Sequence, residues 1–153
     1  MSFTINKTAS ITNLSKRLKE APHVITQQVQ KIINESVKTI ENNARARAPL
    51  GKTGQLKASI YSTPYNMNAG ARVGSRGTMG RRSNYSPFVE FGTGNDFQIP
   101  VYRNLNMNQL EGYALSFKRS NGNLVNLPHR PFLFLSASEE LYTMVNKIKK
   151  IKI

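Results

Sequence analysis

Two histidines, eight acidic residues and a scatter of serines are the first side chains to test for metal or proton-transfer chemistry. His23 and His129 each stand alone, without the paired ligand spacing of a metal motif. There is no cysteine, which excludes a disulfide scaffold, a Cys-ligated zinc site and thiol catalysis. A serine, His129 and Asp96 could formally compose a triad, but no nucleophile-elbow pattern surrounds any serine. Glu139-Glu140 opens a helical stretch, where acidic side chains complement the helix dipole. Gly51-Lys52-Thr53 imitates the end of a phosphate loop. However, Ala46 stands where the upstream glycine belongs, and a helical stretch precedes the turn where a strand should. Glu90 is the acidic residue that looks placed, between Val89 and Phe91 and before Gly92-Thr93. It reads as a structural ion pair or a cap on backbone N–H groups, because perturbed carboxylates are often architectural. No cofactor or metal is expected.

Charge carries more information than catalytic chemistry. There are 22 Lys+Arg against 8 Asp+Glu, a formal net charge of +14. Such an excess points to polyanionic surroundings: nucleic acid, an acidic membrane or an acidic protein. No acidic residue falls between Asn42 and Val89, a span that holds Arg45, Arg47, Lys52, Lys57, Arg72, Arg76, Arg81 and Arg82. Lys147, Lys149, Lys150 and Lys152 form a second cluster. No apolar run approaches the ~20 residues of a membrane span, and no apolar block follows basic residues near Met1, so neither membrane insertion nor a cleaved secretion signal is expected.

The elements that would carry these residues form one domain over 1–153. Residues 1–21 read as a helical extension, with Ile11, Leu14 and Leu18 at helical spacing. Residues 22–48 form the clearest helix: Ile25, Val29, Ile33, Val37, Ile40 and Ala44 make one apolar stripe that Pro49 ends. A strand pair is expected over 54–74, followed by a Gly- and Arg-rich loop. A short helix over 85–92 would be stopped by Gly92. Alternation in Phe97–Tyr102 and Tyr113–Lys118 predicts a hairpin insertion over 97–118. A last helix covers 131–150. The fold class is therefore α+β: a small antiparallel β-sheet packed by a long N-terminal amphipathic helix and a C-terminal helix.

Three blocks occur together in order. The first is Ala48-Pro49, a short turn, Thr53-Gly54-Gln55-Leu56, Lys57 and Ser59-Ile60. The second is Tyr85 with Val89-Glu90-Phe91-Gly92-Thr93. The third is Pro131-Phe132-Leu133 with Ala137. In these blocks the chain resembles the tail-completion (head–tail joining, tail-terminator) family of long-tailed bacteriophages. It departs from that pattern at Lys52, where an acidic residue usually precedes Thr-Gly.

The resemblance implies a structural virion protein rather than an enzyme, at work in the host cytoplasm during assembly. It implies a homo-oligomeric ring, hexameric like the tail tube, at the head-proximal end of the tail. The partners would be the tail tube protein and a head-side connector or stopper protein, with genomic DNA in the channel and no membrane. Arg72, Arg76, Arg81 and Arg82 are then expected to face that channel or an acidic partner ring. The alternative is a small basic nucleic-acid-binding protein whose blocks are coincidental.

Overall fold

A computed structural model describes residues 2–4, 23–65, 70–76, 78–79, 83–118 and 126–152. In chain order the elements are β1 (Ser2–Thr4), α1 (His23–Arg47), α2 (Gln55–Ser59), β2 (Ile60–Pro64), β3 (Ala71–Ser75), β4 (Thr78–Met79) and β5 (Ser83–Asn84). They continue with α3 (Ser86–Phe91), a 3-10 turn (Gly94–Asp96), α4 (Met107–Phe117) and α5 (Leu133–Lys149). This is the expected α+β architecture, with the long helix and the last helix where the periodicity puts them.

The main sheet has the order β1-β3-β2 and is antiparallel throughout, with Phe3 opposite Val73 and Ser62 opposite Val73 on the other side. A second, two-residue pairing joins β4 to β5. Alternation along the strands sends Ile60, Ala71 and Val73 inward, against α1. Pro64 lies on edge strand β2, where a missing N–H costs no ladder bond.

Two apolar clusters fill the interior. The larger unites α1, the sheet and α5 through Val29, Ile33, Ile40, Val73, Leu133 and Met144, among others. Helix α5 runs back along α1: Arg47, in α1's last turn, reaches Ser136 and Glu139 in α5's first turns, and the two helices pack along each other. The smaller cluster is aromatic, with Phe91, Tyr102, Leu110, Ala114 and Phe134 at its centre.

Three expectations need correction. Residues 97–118 are not a hairpin. They hold the helix α4, capped by the Asn106 side chain accepting from Gln109 N–H at 3.3 Å. Its true signal is Met107, Leu110, Ala114 and Phe117 at helical spacing; the apparent alternation from Tyr113 was incidental to that stripe. The 54–74 strand pair is shorter than expected, because residues 55–59 make a turn of helix before the strand begins at Ile60. Gly51 and Gly54, at φ +60° and +66°, reverse the chain there, and Ala58 N–H bonds Gly54 O at 3.1 Å. Finally, Ser2–Thr4, assigned to a helical extension over 1–21, form a third strand of the sheet. The helix expected within residues 8–20 lies outside the described residues.

Candidate functional site: a buried carboxylate cap and a basic sheet face

Glu90 sits in α3, fully buried. Its Oε2 accepts the N–H groups of Phe132 and Leu133, and its Oε1 accepts that of Phe134, each at 3.0 Å. These are backbone donors that the first turn of α5 cannot satisfy itself. A side chain 42 to 44 positions earlier in sequence thus caps a helix that has no side-chain cap of its own. Burial pushes the carboxyl up to about 7, against the opposing pull of the three N–H donors. The same burial, with the Glu90 charge adding to it, pushes the nearby Tyr113 hydroxyl up to about 12 and raises Tyr102. Of the two readings for Glu90, ion pair or backbone cap, the structure has the cap.

The rest of the second block works around this contact. Val89 O accepts Arg130 N–H at 2.8 Å, and Phe91 O accepts Gln98 N–H at 2.8 Å. The Phe91 ring stacks on Phe134, centroids 5.8 Å apart, and meets Tyr113 edge-on. Thr93 clips the returning chain twice, its N–H donating to Leu127 O at 3.0 Å and its Oγ1 accepting Leu127 N–H at 2.9 Å. Gly92 adopts φ 76° and ψ −177°. A Cβ there would lie 2.5 Å from Asp96 O and 2.8 Å from both Leu127 O and His129 N. The second and third blocks are therefore two halves of one joint, and Pro131-Phe132-Leu133 is its receiving side.

The first block turns α1 into the sheet. Ala48 is buried, its N–H bonded to Ala44 O at 2.8 Å, and Pro49 ends the helix. Thr53 precedes the left-handed Gly54, and Leu56 is buried beneath the turn. Ser59 Oγ donates to Leu56 O at 2.7 Å and meets Ser75 Oγ, which in turn meets Ser86 Oγ. This hydroxyl chain ties α2, β3 and α3 together. Tyr85 stands at the N-cap position of α3, and its carbonyl accepts Phe88 N–H at 3.0 Å.

The basic residues divide into two groups. Arg45 and Arg47, though exposed, are engaged within the chain: Arg45 donates to Ile60 O at 2.7 Å and pairs with Glu41 at 2.8 Å, while Arg47 bonds Ser136 and Glu139. Glu41 was not singled out from the sequence, yet it is buried and takes Lys38, Arg45 and Ser62. Its signal was the helical spacing to Lys38 and Arg45. Burial raises its pKa, but the Ser62 hydroxyl and the two cations outweigh that and leave it lowered. Arg72 and Arg76 are exposed on the sheet. Arg72 lies opposite Thr63 on the face turned away from α1, and the Arg76 guanidinium rests 4.8 Å from the centre of the half-buried Tyr61 ring. Arg81 and Arg82 lie outside the described residues.

Among the described residues, no group of three His, Asp or Glu side chains gathers where it could hold a metal ion. No helix among them is long and apolar enough to cross a membrane. A family model described as bacteriophage HK97-gp10, a tail component, matches residues 12–92. The match takes in α1, the turn, strands β2 to β5 and the second block as far as Gly92, and leaves out β1. No curated protein and no solved structure matches the chain.

Proposed function

We propose, from the premise that the chain belongs to the HK97-gp10-like family of bacteriophage tail components, that it completes the tail by forming a ring between tail tube and head-side connector. The ring would be hexameric, to match the symmetry of the tube, and would sit at the head-proximal end of the tail. The protein would act by assembly and not by catalysis: its buried carboxylates, Glu41 and Glu90, are both committed to holding elements together.

The observation that carries this reading is the outer face of the three-stranded sheet. Tyr61, Thr63, Arg72 and Arg76 share it, away from α1, and no strand pairs with the outer edges of β1 or β2 among the described residues. Tyr and Arg are the side chains most enriched where proteins meet. Unpaired strand edges are templates for a neighbouring chain. Six copies of a +14 chain would carry roughly +84, a self-repelling assembly unless partners of opposite charge offset it.

Reversing Arg72, Arg76, Arg81 and Arg82 to Glu in the phage tests the proposal. Heads and tails are expected to accumulate unjoined, while the isolated variant keeps its urea midpoint. Joined particles at the normal yield would contradict it.

A further inference from the structure

The second basic cluster lies at a different place and has a different chemistry. Residues 147–152 read Lys-Ile-Lys-Lys-Ile-Lys. Ile148 is buried in the main core and Ile151 packs against it. The chain holds a helical turn past the end of α5, with Lys150 N–H on Lys147 O at 3.2 Å and Ile151 N–H on Ile148 O at 3.1 Å. The two isoleucines therefore fix the backbone, and Lys147, Lys149, Lys150 and Lys152 are all exposed on it. None of the four is in an ion pair among the described residues. Nothing acidic lies close in sequence either: the chain has no Asp or Glu after Glu140, and α1, whose first turns lie beside this end, has none before Glu35.

We infer that this lysine-tipped end of the helix pair is a contact for the phosphate backbone of duplex DNA. Four ammonium groups lie within about 8 Å of rise at ~1.5 Å per residue. Duplex DNA carries about one charge per 1.7 Å, so the same length presents four or five phosphates. Lysine is depleted where proteins meet and is a strongly hydrated point charge, suited to sequence-independent phosphate contacts. The Tyr61–Arg76 face has the opposite character. The two surfaces thus serve two partners, a protein at the sheet and DNA at the lysine end.

The test is fluorescence anisotropy of a labelled 30-base-pair duplex against the full chain over a salt series. Three proteins are compared: the natural chain, K147Q/K149Q/K150Q/K152Q and R72Q/R76Q. The natural chain is expected to bind with a steep salt dependence. The lysine variant should lose about 3.6 from the slope of log K against log salt, at ~0.9 for each of four phosphate contacts. The arginine variant should keep the natural slope, and all three should share a urea midpoint. An unchanged slope in the lysine variant overturns the inference. So does binding to labelled poly-L-glutamate at least as tight as to DNA, which would make an acidic protein the partner. The inference does not need the ring: binding is read on the isolated chain and joining in lysates, so each can fail alone.

Discussion

Replacing Glu90 with Gln isolates the contact that joins the second and third blocks. The carboxyl has two acceptor oxygens for three N–H donors, because its hydroxyl oxygen keeps an acceptor lone pair when the group is protonated. A carboxamide of the same shape has one. With that oxygen on Phe132 and Leu133, its NH2 group faces the Phe134 N–H, leaving a buried donor unsatisfied at a cost of about 1–3 kcal/mol. The carboxyl also titrates. Burial raises it from 4.5 to about 7, so between those pH values the folded chain holds a proton that the unfolded chain has released. Stability therefore falls as pH rises through this window, and Glu90 contributes no slope below or above it. At ~1.36 kcal/mol per pH unit the fall is about 3 kcal/mol. The Glu41 carboxyl is held below its ordinary 4.5, so its own loss of stability comes on acidification, below the window.

Urea denaturation at pH 4.5, 6.0 and 7.5 reads both effects, and subtracting the variant cancels the titrations common to the two proteins. At pH 4.5 the Gln variant is expected to be less stable by about 1–3 kcal/mol, a midpoint shift on the order of 1 M. By pH 7.5 the natural protein has lost its advantage and the two midpoints meet or cross. Equal midpoints at pH 4.5 would refute the three-donor cap. Parallel pH profiles would refute Glu90 as the titrating group.

Other substitutions probe the joint and the corrected insertion. Gly92→Ala places a Cβ 2.5 Å from a backbone oxygen at φ 76°, and backbone strain of ~1–3 kcal/mol adds to that clash. A loss above about 3 kcal/mol or an insoluble product is expected, and a natural urea midpoint would contradict the geometry. Leu110→Ala removes a buried side chain from the aromatic cluster and should cost about 2–5 kcal/mol. A loss below about 0.5 kcal/mol would mean that α4 does not pack as described. Arg47→Ala frees Ser136 and Glu139 in α5's first turns. Much of that contact is solvent-exposed, so calorimetry should show a loss of only about 1 kcal/mol, and a loss above about 3 kcal/mol would show that α1 and α5 depend on it more than the structure implies.

How much of this could be read from the sequence depended on how local the cause was. Helices α1 and α5 were legible because their apolar positions recur every 3.6 residues over many turns, so no partner needed to be known. Helix α4 was missed because its stripe is only four residues and overlaps a stretch, Tyr113–Lys118, that also alternates. Strand β1 escaped because three residues carry no period and its partner, β3, is about 70 positions away. Glu90 stood out by residue type, a charge among aromatics, but its three partners lie 42 to 44 positions on and are backbone groups that no side-chain pattern announces. The engagement of Arg45 and Arg47 within the chain was hidden for the same reason. Counted with the surface charges, they are held by Ile60 O, Glu41, Ser136 and Glu139.

The central claim, that this tail component completes the tail and joins it to the head, is met most directly by electron microscopy of lysates from a phage with a nonsense mutation in this gene. DNA-filled heads beside unattached tails are the expected result, and overlong tails among them would add length termination to the role. Normal joined particles would contradict the account.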